Sequence, residues 1–132
     1  MITSYNFDYC LAEIYEDHIR VYINEGVTVV PEHISELNFV TKKHFENKFF
    51  VYLAVRINSY TIDPMIYVES NKIPNLLGIA IVSNDPKQRS QAKIEKVFTN
   101  KKLQQFDTLE EALDWKDEII KKRKDGITTK DQ

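Results

Sequence analysis

Tyr5, Phe7, Tyr9 and Leu11 alternate with Asn6, Asp8 and Cys10, a period of two that predicts a strand. Glu16, Asp17 and His18 then make a tight reversal. Ile19, Val21 and Ile23 alternate with Arg20, Tyr22 and Asn24, so the two segments read as an antiparallel hairpin, ended by Gly26. Pro31 suits the first position of a helix, where its missing N–H costs nothing. Ile34, Leu37, Val40 and Thr41 carry the helical spacing, which runs out near His44 or Phe45. Residues 49–57, "FFVYLAVRI", are apolar on both faces apart from Arg56. A strand without alternation is covered on both sides, as at the centre of a largely parallel sheet.

The second half repeats the scheme. Asp63-Pro64 opens a short helix, "PMIYVESN", with Asp as cap and Pro in the first turn. "LLGIAIVS" is a second buried strand. Asp85-Pro86 starts a helix expected to run to about Phe98, with Ala92, Val97 and Phe98 inward. Residues 103–106 give a brief edge strand. In "DTLEEALDWKDEIIKKRK", Asp107 or Thr108 caps the last helix and Glu110 or Glu111 completes a capping box. Leu109, Ala112, Leu113, Ile119 and Ile120 form its apolar stripe, with Trp115 on the border. Acidic residues at its start and Lys121, Lys122, Arg123 and Lys124 at its end match the helix dipole. The element order is ββαβαβαβα. Crossovers through helices are right-handed and give parallel neighbours, so the fold class is α/β: a single mixed, mostly parallel five-stranded sheet with four helices. Residues 1–124 form one domain, and 125–132 a flexible polar tail.

Composition narrows the function more than it defines it. A chain of 132 residues with 42% apolar and 29% charged positions is an ordinary globular domain. A lone Cys10 excludes an internal disulfide, and no run of 18 apolar residues occurs. With no basic start before an apolar core at the N-terminus, the expected setting is the cytoplasm, without membrane insertion. The net charge of −2 argues against a general nucleic-acid binder. The charge is uneven, however. Residues 1–30 carry Asp8, Glu13, Glu16, Asp17 and Glu25 against Arg20; residues 86–102 carry six Lys or Arg against Glu95 alone. A basic helix face of this kind meets solvent, phosphate or an acidic partner.

The ββαβαβαβα order resembles that of the STAS or SpoIIAA-like domains, the anti-sigma-factor antagonists and their relatives. The segment "QQFDTLEEALDWKDEI" is similar to the closing strand and helix of that group, where F-x-x-x-x-E-A-L-x-W recurs; here it spans Phe106 to Trp115. The resemblance is greatest to the uncharacterised bacterial branch, sometimes grouped with lipid-binding Sec14-like proteins. It implies a SpoIIAA-like fold and a partner-facing surface at the turn after the third strand. Regulators of the group carry a phosphorylated Ser just after an Asp at that turn. Here the Asp is Asp63 and the next residue is Pro64, which has no hydroxyl. Ser59 and Thr61 lie nearby, but off the helix N-terminus that would handle phosphate.

Other chemistry finds little support. His33 and His44 lie three turns apart on one helix, too far for one zinc ion, and His18 falls in the hairpin turn with solvent as its expected partner. Cys10 has no Cys-x-x-Cys partner and reads as a small packed residue. The three glycines, Gly26, Gly78 and Gly126, build neither a phosphate loop nor a nucleophile elbow. The abundant Tyr and Phe read as core packing rather than a base-stacking platform, because the hairpin that carries many of them is acidic. One polar group set, Arg56, Tyr60 and Asp63, sits at a strand's C-terminal end, where Arg56 and Asp63 are placed to pair. No cofactor and no metal is expected.

What remains is the short helix, apolar around nearly its whole circumference. It covers the sheet with one side only, so part of Ile62, Met65, Ile66 and Tyr67 is expected at the surface, where Met adapts well to a partner. The expected function is a non-enzymatic regulatory or adaptor domain. It would contact another protein, or a second copy of itself, through Ser59, Tyr60, Thr61, Ile62, Asp63, Met65, Ile66 and Tyr67. The alternative is a carrier of an apolar or lipid-like small molecule, which requires a cavity of several hundred cubic ångströms.

Overall fold

The computed structural model describes residues 1–57 and 61–130, with side chains described as far as residue 125. Its elements are β1 (Thr3–Asn6), β2 (Cys10–Ile14), β3 (His18–Ile23), β4 (Thr28–Val29), α1 (Pro31–Phe45), β5 (Phe50–Val55), β6 (Thr61–Ile62), α2 (Ile66–Ser70), β7 (Leu76–Val82), α3 (Pro86–Glu95), β8 (Lys102–Phe106) and α4 (Leu109–Lys130). The main sheet has six strands in the order β1-β2-β3-β5-β7-β8. β1, β2 and β3 are antiparallel neighbours, and the pairs from β3 to β8 are parallel.

Six strands replace the expected five because the N-terminal segment folds back on itself. The Phe7 N–H donates to the Cys10 carbonyl at 2.8 Å, closing a turn over Asp8 and Tyr9. Tyr5 then pairs across to Ala12, and Asn6 to Leu11. Alternation continues unbroken through this turn, so Tyr5, Phe7 and Tyr9 still share one face, with ring centroids 6.2 and 5.6 Å apart. A second pairing, β4 with β6, links the segment before α1 to the segment before α2. Gly26, at φ 79°, makes the turn between β3 and β4 in the left-handed region that suits glycine.

The parallel strands progress in one direction, β3-β5-β7-β8, so right-handed crossovers put α1, α2 and α3 on the same face. That face holds the larger core, where Ile34, Leu37, Val40 and Phe45 of α1, Ile66 and Tyr67 of α2, and Ala92 of α3 meet Ile14, Val21, Phe50, Ile79 and Ile81 of the sheet. α4 returns over β8 and covers the other face, packing Ala112 and Ile120 on Val51, Leu53, Val55, Ala80 and Val82. β5 and β7 are thus covered on both sides, as their lack of alternation requires.

The starts of α1, α3 and α4 follow the sequence signals, whereas α2 begins at Ile66 with Met65 at its cap position, beyond the expected Asp63-Pro64 start, because Asp63 and Pro64 form the turn that precedes it. The Asp85 carboxylate accepts from the Lys87 N–H at 2.9 Å. Thr108 Oγ1 accepts from the Glu111 N–H at 3.2 Å and donates to the Glu111 carboxylate at 3.0 Å, a reciprocal cap. One expectation fails at α3. The helix ends at Glu95, and the turn after it presents Val97 and Phe98 outward, Val97 at 81% exposure. No described helix is long and apolar enough to cross a membrane.

Candidate functional site

Of the residues expected to meet a partner, Ser59 and Tyr60 lie outside the described residues. The other six divide between inside and outside. Thr61 and Ile62 form β6, and Asp63 accepts from the Met65 N–H at 3.0 Å, fixing the turn into α2. Ile66 and Tyr67 are buried, while Met65 and its neighbour Val68 are exposed. The apolar helix therefore has one inward and one outward side, as its short length requires.

Tyr67 leads to a cluster that the sequence reading did not assemble. Arg56, the residue after β5, does not pair with Asp63. It projects onto the α1–α3 face and meets Glu95 at the end of α3. Its Nη1 donates to Glu95 Oε2 at 2.7 Å and its Nη2 to Oε1 at 2.5 Å; Nη1 also donates to Gln88 Oε1 at 3.1 Å. The Tyr67 hydroxyl donates to the same Oε1 at 2.5 Å. Arg56 and Glu95 are both buried, with Glu95 fully so. Burial first, and then the Glu95 carboxylate, push the Tyr67 hydroxyl far above the ordinary tyrosine range. Tyr67 is consequently a fixed donor, and the carboxylate and guanidinium neutralise each other. These bonds tie β5, α2 and α3 together.

The sequence signal for Glu95 was present. Gln88, Ala92 and Glu95 recur at helical spacing on the inward side of α3, and Glu95 is the lone acid in its basic segment. Beneath α2 the enclosed space is about 40 Å³, bounded by Arg56, Tyr67, Ile62 and the apolar side chains of α1 and the sheet. That is room for water-sized guests, well below the several hundred cubic ångströms a carrier needs.

The strand ends also bear on cofactor chemistry. α/β sheets bind nucleotides in the crevice where strand order reverses. Here β3-β5-β7-β8 never reverses. An open cleft of about 500 Å³ does lie above β5 and β7, lined by Glu25, Arg56, Ser83, Asp85 and Gln88. Several of its polar groups are engaged within the chain: Arg56 with Glu95 and Gln88, Asp85 with the Lys87 N–H, and Ser83 Oγ with the Asp85 N–H at 3.1 Å.

This architecture has a solved counterpart. An uncharacterised protein of the DUF3478 family with a SpoIIAA-like fold, from Shewanella loihica PV-4, superposes with a TM-score of 0.57 over 81% of this chain and 91% of that one, at 14% identity. The fold is SpoIIAA-like. No family model and no curated protein matches the sequence. In this SpoIIAA-like frame the turn into α2 carries Pro64 after Asp63, with Asp63 committed to the Met65 N–H.

The outward side of α2 continues onto α3. Besides the Tyr67–Glu95 bond, Asn71 Nδ2 donates to the Phe98 carbonyl at 3.1 Å, and Asn71 Oδ1 accepts from the Thr99 hydroxyl at 3.1 Å and the Asn100 N–H at 2.9 Å. α2 is thereby held beside the end of α3. The exposed apolar residues of the two elements, Met65 and Val68 with Ile94, Val97 and Phe98, lie on neighbouring segments. Burial of Glu95 leaves Lys93 and Lys96 exposed at the end of α3, while on α2 the partly exposed Glu69 pairs with Lys72.

A second polar cluster lies at the opposite end of β3, under α4. His18, expected in solvent, is buried. Its Nδ1 hydrogen-bonds the Asp17 carboxylate at 2.7 Å and its Nε2 accepts from Arg20 Nε at 3.1 Å, so Nδ1 carries the proton. Tyr15 stacks on the imidazole at 4.5 Å, and Arg20 lies 4.0 Å above the Tyr15 ring. Lys116 reaches from α4 to Asp17 at 3.0 Å. Burial is the main cause that lowers the His18 pKa, opposed by Asp17. At Asp17 burial acts upward, but the hydrogen bonds from His18 and Lys116 outweigh it and the pKa is lowered. Cys10 is a packed core thiol, pushed up to about 12 by burial. Among the described residues, no group of three or more His, Cys, Asp or Glu is placed to hold a metal ion.

Proposed function

We propose that the chain is a non-enzymatic regulatory or adaptor domain that binds another protein through the outward side of α2 and the end of α3. The observation that carries this reading is that five exposed apolar residues, Met65, Val68, Ile94, Val97 and Phe98, lie on two segments tied together by the buried Tyr67–Glu95 hydrogen bond and the exposed Asn71–Phe98 one. Exposed apolar groups rimmed by charge mark interaction surfaces. Lys93 and Lys96 on the rim select a partner with acidic residues around an apolar anchor, since electrostatic match sets specificity and encounter rate. The proposed setting is the cytoplasm, which the lone reduced thiol of Cys10 supports. The carrier reading calls for a cavity beneath α2, where the space is about 40 Å³.

The test is affinity capture from extracts of cells expressing the tagged chain, comparing wild type with a Met65→Asp, Val68→Asp double variant. Both side chains are exposed, so circular dichroism should be unchanged; Ile66 is unsuitable because it is buried. The expected result is a specific bound protein lost in the double variant and weakened by salt. Equal retention by both chains would overturn the proposal.

A further inference from the structure

Phe39 is a large aromatic side chain in the middle of α1, yet it is 73% exposed. Beside it runs an apolar groove of about 230 Å³ between α1 and the β1–β2 turn, lined by Tyr5, Phe7, Val40 and Phe39 itself, with Glu36 at one end and Lys43 at the other. The groove is a built feature. The Tyr5 hydroxyl is bonded to His44 Nε2 at 2.7 Å, the Tyr9 hydroxyl donates to the His33 carbonyl at 2.9 Å, and Phe7 stacks between the two tyrosines. Both ends of the aromatic row are thus anchored on α1, and its middle is left to form a wall.

We infer that this face binds a second copy of the chain, with the α1 helices antiparallel about a two-fold axis passing between Phe39 and Val40. The argument is self-complementarity, which a two-fold interface demands. The knob, Phe39, and the groove that would receive it lie side by side on one face. The same axis sets Glu36 of each copy opposite Lys43 of the other, because the two residues are equally far from the Phe39–Val40 midpoint. The exposed side of α1 is acidic in its first half, with Glu32 and Glu36, and carries Lys42 and Lys43 in its second. Antiparallel apposition therefore matches opposite charges, and parallel apposition matches like ones. Neither Glu36 nor Lys43 forms a salt bridge among the described residues and both are exposed, Glu36 lying also within reach of the Tyr9 hydroxyl. This surface lies on α1 and β1, apart from the α2–α3 face proposed above, so each face can be occupied while the other is.

Sedimentation equilibrium of the full chain, over a range of roughly 1 to 500 μM, tests the inference. Wild type should shift from one to two chain masses with concentration. Phe39→Asp should weaken dimerisation about thirtyfold or more, as loss of a central aromatic anchor does. Lys43→Glu, which sets two acids against each other twice, should weaken it about tenfold. Glu36→Lys combined with Lys43→Glu should restore it, since the reversed pair is again complementary. Circular dichroism identifies any variant that fails to fold, and the exposed Phe39 site guards against that outcome. A wild-type chain of single mass throughout, an unaffected Phe39→Asp, or a double reversal no tighter than Lys43→Glu alone would each overturn it.

Discussion

Arg56 and Glu95, thirty-nine residues apart, meet in a buried two-pronged ion pair with N–O distances of 2.7 and 2.5 Å. A buried pair of this kind adds modest net stability compared with a well-packed apolar pair, yet removing one partner strands the other charge away from water. Glu95→Ala is expected to destabilise the fold by about 3–5 kcal/mol. The double variant Arg56→Met, Glu95→Leu should recover most of that loss. Urea titration of the three proteins measures both quantities, and a double variant as unstable as the single one would count against this account.

Tyr67 completes the same cluster. Tyr67→Phe removes a hydrogen bond to a buried carboxylate, with an expected cost of about 1.5–3 kcal/mol. The pH dependence has a definite sign. An unfolded tyrosine loses its proton near pH 10.0, whereas folded Tyr67 holds it to higher pH. Its contribution is therefore complete below pH 10 and is lost as the pH rises through the folded value. Wild type should lose stability on alkaline titration more steeply than Tyr67→Phe; parallel curves would assign the alkaline loss to other groups.

His18 sets the acid side. Unfolded histidine takes up a proton near pH 6.5, and the folded protein does so only at lower pH. Stability should be level above about pH 6.5 and decline below it, as the folded state resists the proton that the unfolded chain accepts. Asp17, also lowered, adds a further loss as the pH falls below its ordinary value of 3.8. His18→Gln should flatten the first decline and also lessen the second, because the His18 hydrogen bond is one of the two that lower Asp17, while Lys116 maintains the rest. Melting temperatures measured between pH 7 and 3 distinguish the two steps.

Gly78 lies where α4 crosses the sheet. A Cβ there would approach the Trp115 ring to 2.9 Å, the Lys102 carbonyl oxygen to 3.2 Å and Ile119 Cδ1 to 3.4 Å. Gly78→Ala should therefore displace the indole and cost about 1–3 kcal/mol through overpacking. Trp115 is the only tryptophan, so its fluorescence reports the displacement directly. An unchanged emission maximum and unchanged stability would show that α4 shifts freely.

The sequence made most of the architecture legible because its helix signals are local. Pro31, Asp85-Pro86 and Thr108 each act within one turn, and the observed helices start there. β5 and β7 were readable from unbroken apolar runs. The β1–β2 turn was not, because Tyr5, Phe7 and Tyr9 keep their alternation through it and Asp8 is its only turn-favouring residue. Residues tied by long-range contacts were the harder class. Lys116 and His18 are polar and titratable, so sequence pattern alone assigns them to solvent, and the inward spacing of Glu95 names no partner for its charge. Their burial depends on partners far along the chain: Arg56 for Glu95, and Asp17 for Lys116, ninety-nine residues away. The apolar side of α2 was anticipated in kind, with Met65 outward, but Tyr67 proved to face the core because Glu95 awaits its hydroxyl there.

α4 follows every strand it covers, and this order governs how the chain leaves a ribosome. While α1, α2 and α3 can dock on their face as synthesis proceeds, Val51, Leu53, Val55, Ala80 and Val82 stay bare until residues near Ile120 have emerged. At translation speeds of about 5–20 residues per second, that greasy surface faces water for several seconds. A nascent chain halted before α4 is consequently a natural client for chaperones that hold unfolded surfaces, and releasing it early would favour clumping over folding.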